Sequence, residues 1–295
     1  MNETLTAVPG VEVGHWTNTE AMTGCTVVVF PEPNCVTGEA RGGAPGSREF
    51  ALLQPGMSVE QAQAIVLTGG SAFGLATADG VVRALEADGR GYQTAAGIRV
   101  PIVPAAVIFD FAAGDPLSRP GAEQGEAAYR ARSTEPVATG LVGAGTGATV
   151  AKWRGLEHMQ PGGLGSAAVT AGDVTVGALA VVNAVGDVFA VDGESLTGGD
   201  PVPGPPNLVR TAISNTTLVV VATDAGLSRI DMSRLVIRSH DALSVCIRPV
   251  HTRYDGDTVF IASVGDLSAE LDALGEAVFA ATAAAIENAL LSTRG

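Results

Sequence analysis

The sequence is poor in cysteine, histidine and basic side chains, and each shortage argues against a class of protein. The three cysteines (Cys25, Cys35 and Cys246) are odd in number and have apolar neighbours. This pattern favours small buried side chains in a reducing compartment over a disulfide framework. No spacing of the cysteines or the four histidines matches a metal site, so no metal is expected. The 17 Lys and Arg, against 31 Asp and Glu, form no basic stripe, which argues against nucleic-acid binding.

A leader segment and a membrane span are also missing from the sequence. The first ten residues, MNETLTAVPG, lack the basic and then apolar segments of a signal peptide. The longest uncharged stretches, 137–151 and 211–223, are too short or too rich in glycine to cross a bilayer. The 46% of hydrophobic residues and the 38 glycines indicate tightly packed layers with many turns. We therefore expect a soluble cytoplasmic protein with no membrane partner.

Short β-branched runs alternate with helical patterns along the chain. The runs that predict buried strands are 25–30, 64–67, 174–183 and 217–223. Their continuous apolar character favours a sheet covered by helices. Ser228 followed by Asp231 forms a capping box and predicts a helix start. A second helix is predicted directly after Asp266, and it should pack on the sheet or on a partner subunit.

The least regular segment precedes the last of these predicted strands. Residues 193–208, GESLTGGDPVPGPPNL, contain too much proline and glycine for a helix or a central strand. We predict that residues 193–210 form a linker. Asn215 and Thr216 follow it, so a hydroxyl residue arrives at the first position of a buried strand. The alternative is an ordinary turn before a strand, because Asn-Thr pairs are common.

That position permits a defined chemistry. The Thr216 hydroxyl could attack the carbonyl group of Asn215 and form an ester that water then hydrolyses. Thr216 would become a new N-terminus whose α-amine, with a pKa of roughly 7.7–8, could act as the base for its own hydroxyl. No Ser-His-Asp triad is needed, and no histidine stands in a G-x-S-x-G context. The four histidines are interpreted as structural.

Segments that run almost from end to end carry a family resemblance. In order they are Pro9–His15, Arg41–Gly46, Leu67–Leu75, Ala78–Gly80, Gly143–Ala148, Gly162–Ala167, Val182–Ala184, Asn215–Thr216 and Pro249–Phe260. Together they resemble the DmpA-type family, which includes aminopeptidase/D-esterases, β-peptidyl aminopeptidases and the endo-type nylon-oligomer hydrolase. The Asn-Thr junction is similar to the nylon-oligomer hydrolase branch and departs from the Gly-Ser of the aminopeptidase branch. That departure argues against aminopeptidase specificity, but it leaves the expected mechanism unchanged.

The resemblance implies an α/β fold, a four-layer αββα sandwich like that of N-terminal-nucleophile hydrolases. It implies a single hydrolase domain over 1–295, cut into an α chain (1–215) and a β chain (216–295). It also implies a homo-oligomer, a tetramer of such αβ units, and no cofactor. The expected substrates are short peptides, aminoacyl amides or ω-amino-acid oligomers. The alternative is an unprocessed, non-catalytic binding protein of the same fold.

The resemblance also suggests partners for Thr216. Asn183 would donate its amide N–H to an oxyanion, and Lys152 would hold the nucleophile or lower its pKa. Asp255 and Asp257, two apart in a strand-like run, would point to one side and orient Thr216 or the lysine. The residues alone leave an alternative for each. Asn183 could be a strand residue whose amide bonds neighbouring backbone groups, and Lys152 could lie on the surface. The two aspartates could belong to a solvated D-G-D turn.

Two glycine-rich turns complete the candidates. The turn at Gly69, Gly70 and Ser71 precedes a predicted helix, and it could line the substrate cleft with backbone N–H groups or simply allow close packing. Residues 143–148 resemble a dinucleotide-binding turn. However, Lys152 and the residues after it interrupt the helix that should follow, and no ribose-binding acid lies about 20 residues on. We therefore expect no nucleotide cofactor.

Overall fold

Two five-stranded sheets form the framework of the protein in a computed structural model that describes residues 2–207 and 215–294. The strands in these residues are β1 (Glu12–Asn18), β2 (Thr23–Val29), β3 (Cys35–Ala40), β4 (Ser47–Arg48), β5 (Ala64–Thr68), β6 (Tyr92–Gln93), β7 (Arg99–Val100), β8 (Ala105–Val107), β9 (Thr149–Val150), β10 (Gln160–Pro161), β11 (Gly163–Ala171), β12 (Val174–Asn183), β13 (Asp187–Val188), β14 (Thr216–Ala225), β15 (Ile247–Arg248) and β16 (Thr258–Leu267). The α-helices are α1 (Ser71–Gly74), α2 (Thr77–Ala87), α3 (Ala122–Arg130), α4 (Arg229–Cys246) and α5 (Leu271–Leu291). All four predicted strands are present.

The strand order explains how distant segments reach one place. The first sheet has the order β1-β2-β5-β8-β4, in which only β5 and β8 are parallel neighbours. The second sheet has the order β11-β12-β14-β16-β3, in which only β14 and β16 are parallel neighbours. The central strand β14 therefore starts beside the end of β12 and near the start of β16.

Three apolar layers hold the two sheets and their helices together. Alternate residues of β14 pack in two of these layers, because successive side chains point to opposite faces of a strand. Leu218 and Val220 pack between the sheets, whereas Val219 and Val221 pack under α4 and α5. The third layer lies between the first sheet and the helices α2 and α3. The order helix, sheet, sheet, helix is the αββα sandwich that the resemblance implied.

One predicted helix start is confirmed and the other is wrong. Ser228 caps α4, and its hydroxyl oxygen accepts the N–H of Asp231 at 3.1 Å. Asp266 does not begin a helix, because it lies within β16, which still pairs with β14 at Leu267. Glu270 caps α5 instead and accepts the N–H of Ala273 at 2.8 Å. The continued strand pairing delays the helix by four residues relative to the prediction.

The helix α5 belongs to the core of the fold. It is long and apolar enough to cross a membrane, yet 61% of its most apolar window is buried within the protein. It packs on β11 and β12. A β carbon at Gly165 of β11 would lie 2.0 Å from the carbonyl oxygen of Ala285. The small residues of α5 and β11 thus permit a close approach of this helix to the sheet, on which it was predicted to pack.

The predicted linker is irregular where the structure describes it. Between residues 193 and 207 the backbone forms turns and an isolated bridge from Ser195 to Phe189, with no helix. The indole N–H of Trp153 donates to the carbonyl oxygen of Gly204 at 2.8 Å and attaches this segment to the domain. The remainder of the predicted linker, 208–210, lies outside the described residues.

Candidate active site

The Asn215–Thr216 peptide bond lies in the interior of the protein. Thr216 is the first residue of β14 and pairs in register with Asn183, the last residue of β12. Both side chains are buried, as is that of Asn215. The backbone N–H of Asn215 donates to the carbonyl oxygen of Tyr254 at 2.8 Å. The bond is therefore held between two strands and the turn that precedes β16.

Two donors converge on the carbonyl oxygen of Asn215. The backbone N–H of Gly256 donates to it at 2.7 Å. The Thr216 hydroxyl donates to the same oxygen at 2.5 Å. A hydroxyl and a polarised carbonyl group thus adjoin across the predicted cleavage site. Gly256 stands between the two predicted aspartates, but nothing in the sequence singles it out, because every residue except proline carries a backbone N–H.

The two aspartates lie in a buried turn and not in a strand, so the predictions of a strand-like run and of a solvated turn are both wrong. Each is 1% exposed. The carboxylate of Asp257 accepts the N–H of Thr217 at 2.6 Å through Oδ1. Asp255 accepts the N–H and the hydroxyl of Thr252 at 2.9 and 2.6 Å through Oδ2. Burial and the neighbouring Asp257 raise the pKa of Asp255 to about 6.

Glycines bring another segment against this turn. Within the matching segment 41–46, the N–H of Ala44 donates to the carbonyl oxygen of Asp255 at 2.8 Å. A β carbon at Gly42 would lie 2.1 Å from that same oxygen. Only a residue without a side chain fits this approach. The segment therefore closes over the turn that carries both aspartates.

Lys152 is buried at the site, so the surface-lysine alternative is wrong. Its Nζ donates to Thr149 Oγ1 at 2.9 Å and to Asn183 Oδ1 at 3.3 Å. Burial lowers the pKa of Lys152 to about 7, and the negative charge of Asp255 only partly opposes this. Lys152 is also the only lysine in the chain, a signal in the sequence that singles it out. Thr149, which shares its contacts, was missed because nothing in its local pattern marks it.

The amide of Asn183 is engaged on both sides. Its Oδ1 accepts the N–H of Thr149 at 2.9 Å as well as the lysine ammonium or amine. Its Nδ2 donates to the carbonyl oxygen of Phe109 at 3.2 Å. Because an amide nitrogen carries two hydrogens, one remains for another acceptor. The backbone alternative is therefore partly confirmed, because the backbone groups of Thr149 and Phe109 bond the Asn183 amide, whereas Lys152 also bonds its oxygen.

The turn at Gly69, Gly70 and Ser71 uses its N–H groups inside the fold. They donate to the carbonyl oxygen of Gly24, to Asp110 Oδ1 and to the carbonyl oxygen of Ile108 at 2.9, 2.8 and 3.0 Å. A β carbon at Gly69 would lie 2.0 Å from Asp110 Oδ2. Close packing therefore accounts for this glycine. A role of the three residues in substrate binding stays a prediction and cannot use these donors.

A cavity of about 200 Å³ lies beside the cluster formed by Thr149, Lys152 and Asn183. Thr149 forms part of its wall, so the cavity adjoins the residue that binds both Lys152 and Asn183. Its other lining residues are Met22, Ala113, Leu141, Ala148, Met159, Gln160 and Pro161. None of these lining residues, all from the described part of the chain, is charged, so the cavity suits an apolar group. Among the described residues, no cluster of three or more His, Cys, Asp or Glu side chains could hold a metal ion.

Comparison with known proteins relates the whole chain to one family. The model of Peptidase family S58 matches residues 3–295. An uncharacterized aminopeptidase of Mycobacterium leprae (strain TN) is 40% identical over 296 aligned residues, covering 90% of this chain and 79% of the relative. A 6-aminohexanoate-oligomer endohydrolase of Kocuria sp. (strain KY2) is 30% identical over 279 aligned residues, covering 88% of this chain and 74% of the relative. The resemblance that the sequence motifs suggested is confirmed.

Solved structures show the same fold. The L-aminopeptidase D-Ala-esterase/amidase of Ochrobactrum anthropi, described as a variant of the Ntn hydrolase fold, has a TM-score of 0.78 at 21% identity. The match covers 99% of this chain and 86% of that one. A Burkholderia sp. beta-aminopeptidase has a TM-score of 0.77 at 24% identity, covering 99% and 87%. At these identities the similarity establishes the fold, and the predicted fold type is confirmed.

Proposed function

We propose that this chain, which belongs to peptidase family S58, cleaves itself between Asn215 and Thr216 and then hydrolyses amide bonds with the freed Thr216. The observation that carries the proposal is the pair of donors on the Asn215 carbonyl oxygen, namely the Gly256 N–H and the hydroxyl of the adjacent Thr216. A hydrogen-bonded carbonyl group next to a hydroxyl is the starting arrangement for an acyl shift from nitrogen to oxygen.

The first stage is the transfer of the Asn215 acyl group from nitrogen to oxygen. Thr216 Oγ1 gives up its proton and attacks the carbonyl carbon of Asn215, whose oxygen becomes negatively charged. The Gly256 N–H donates to that oxygen, and this donation strengthens as the charge develops. The C–N bond then breaks, the leaving nitrogen takes up a proton, and Thr216 carries an ester. Water hydrolyses the ester into the Asn215 carboxylate and a Thr216 with a free hydroxyl and α-amine.

Lys152 is the group to which we assign the first proton. The nitrogen of Thr216 is still an amide before cleavage and cannot act as a base. With a pKa of about 7, the Lys152 amine is mostly unprotonated above pH 7 and can accept a proton there. Its Nζ bonds Asn183, which lies opposite Thr216 in the strand register. In the structure Nζ donates to Thr149 and Asn183 and the Thr216 hydroxyl donates to the Asn215 carbonyl oxygen, so these side chains must rearrange before the proton is transferred.

After cleavage the roles shift to the new N-terminus. The α-amine of Thr216, with a pKa of roughly 7.7–8, becomes the base for its own hydroxyl. The free hydrogen on Asn183 Nδ2 becomes the donor to the oxyanion of a bound amide. Asp257 holds the Thr217 N–H, and the Asp255 carboxyl lies in the same turn. These two acids orient the residue that carries the nucleophile.

The cavity beside Thr149 supplies a place for the substrate. The described residues that line it are uncharged, which favours an apolar part of a short peptide, an aminoacyl amide or an ω-amino-acid oligomer. The named relatives act, by their names, as an aminopeptidase and as an oligomer endohydrolase. As part of the same proposal, the chain works in the cytoplasm as a homo-oligomer, a tetramer of αβ units, without a cofactor.

An intact-mass spectrum of the purified protein tests the proposal. We expect two species whose masses correspond to 1–215 and 216–295. Their appearance should coincide with hydrolysis of an aminoacyl p-nitroanilide or an amide oligomer. A single species near 29.6 kDa that stays uncut on prolonged incubation would instead favour an unprocessed binding protein.

Replacing Gly256 by alanine should slow the self-cleavage by at least about 100-fold, because the added β carbon displaces the N–H from the Asn215 carbonyl oxygen and the loss of one oxyanion donor usually costs that much. The added β carbon would lie 2.7 Å from Thr216 Oγ1 and 2.8 Å from the Ala44 carbonyl oxygen, so the hydroxyl and the turn must separate. The half-life of the uncut chain at fixed pH measures the effect. Gly204→Ala is the matched control, because a β carbon there meets no atom among the described residues. Equal half-lives for both variants would remove Gly256 from the mechanism.

A further inference from the structure

We propose that His251 is a positioning residue for the reaction at Thr216, acting through Asp257 on the peptide bond that follows the nucleophile. This inference rests on the proposed function and assigns a positioning role to a histidine for which a structural role was predicted from the sequence. It concerns only how the nucleophile is held, because His251 touches neither the Thr216 hydroxyl nor the Asn215 carbonyl oxygen in the structure.

A short chain of hydrogen bonds connects His251 to the nucleophile. The Nδ1 of His251 lies 2.8 Å from Asp257 Oδ2, and its backbone N–H donates to the same oxygen at 3.0 Å. The other oxygen, Oδ1, accepts the N–H of Thr217 at 2.6 Å. That N–H belongs to the peptide bond between Thr216 and Thr217. The carboxylate of Asp257 is therefore held on one side by His251, and it holds the nucleophile's backbone on the other.

The backbone of His251 is shaped for this contact. Its φ is +54°, in the left-handed region, which a side-chain-bearing residue occupies only at some cost. The conformation lets the backbone N–H and the ring Nδ1 reach one carboxylate oxygen together. A structural histidine could serve from an ordinary backbone. The left-handed backbone of His251 accompanies the contact that both of its nitrogen atoms make with Asp257 Oδ2.

Among the described residues, Asp257 is the hydrogen-bond partner of the His251 ring. His240 packs edge-on against it, with ring centroids 4.9 Å apart. Burial lowers the pKa of His240 to about 3, so the His240 ring is neutral near pH 7. The Nε2 of His251 is buried and has no hydrogen-bond partner among the described residues. The ring thus serves Asp257 through Nδ1 alone.

Variants of His251 separate positioning from stability. An asparagine places an amide N–H near the site of Nδ1, whereas a glutamine places it near Nε2. We therefore expect His251→Asn to self-cleave within about fivefold of the wild-type rate and His251→Gln to lose at least about 30-fold, since a displacement of 1 Å can cost about 100-fold. In material that has been cleaved, kcat should fall for His251→Gln while KM stays within about twofold. Each rate is compared at a temperature where circular dichroism shows the variant to be folded.

The matched control is His15→Leu, which removes another partly buried histidine, bonded to the Thr26 hydroxyl 2.9 Å away. It should lower Tm and leave the cleavage rate within about twofold. Equal cleavage rates for His251→Asn and His251→Gln, at any level, would overturn the positioning role. Failure of the proposed function is distinguishable, because the wild-type chain itself would then stay uncut.

Discussion

Replacing Thr216 by alanine should leave a single 295-residue chain that hydrolyses no amide substrate. The variant lacks the hydroxyl that adjoins the Asn215 carbonyl group, so no ester can form and no free α-amine arises. Both stages of the proposed function depend on that one oxygen, which makes this the largest effect that we expect. Thr216→Ser keeps an oxygen at the same position and should still cleave. Intact mass and turnover of an aminoacyl p-nitroanilide measure the two stages.

Thr217→Ala is the matched control for Thr216→Ala. Thr217 is the next residue of β14 and is equally buried, but its hydroxyl has no hydrogen-bond partner among the described residues. Its loss should leave the cleavage site unchanged and the two fragments visible. Cleavage of Thr216→Ala at the same bond would disprove the mechanism, because a different nucleophile would then have to act.

Replacing Lys152 by methionine should abolish self-cleavage, with a loss of at least about 100-fold for the removal of a general base, and should at the same time stabilise the fold. Methionine matches the length of the buried stem without a charge. Asn183 Oδ1 retains the N–H of Thr149 at 2.9 Å, so the amide keeps a donor. At pH 7 we expect Tm to rise by at least about 2 °C, the effect of about 1 kcal/mol in a chain of this size.

The sign of the pH dependence follows from the lowered pKa. The pKa of Lys152 is about 7 in the folded protein, against 10.5 for the free side chain. Above pH 10.5 both states are neutral and the lysine carries no penalty. Between pH 10.5 and 7 the unfolded chain binds a proton that the folded chain does not, so stability falls as the pH falls. Below pH 7 the penalty is complete. The Tm gain of Lys152→Met should therefore be larger at pH 7 than at pH 10.

The rate of self-cleavage should depend on the protonation of the same lysine. As the pH rises through about 7, Lys152 loses its proton and becomes able to accept one, so the rate should rise to a plateau. Because Lys152 is the only lysine, ¹³C-lysine labelling yields a single Cε resonance whose shift reports its pKa directly. An apparent pKa near 10.5 in that experiment, or wild-type cleavage by Lys152→Met, would exclude the base role.

The fold predictions succeeded where local pattern decides the structure. The apolar run at 174–183 became β12 over the same residues, because its β-branched side chains are buried on both faces. Ser228 begins α4, because the capping contact is made three residues away. Asp266 did not begin α5, because strand pairing with the distant β14 continues to Leu267. Local signals compete with such long-range pairing, and the sequence around Asp266 carries no sign of it.

By itself, the sequence determined the family, the strands, the residues around the junction and the unusual single lysine. The tertiary structure alone decided how those residues meet. The Gly256 N–H binds the Asn215 carbonyl oxygen, and His251 binds Asp257, because the turn before β16 folds back on β14. Backbone donors look alike at every position, and whether Asp255, Asp257 and Lys152 are buried depends on which segments cover them. For that reason residue types alone predict the cleavage chemistry at Thr216. The Gly256 N–H donor and the lowered pKa of Lys152 depend on the packed fold.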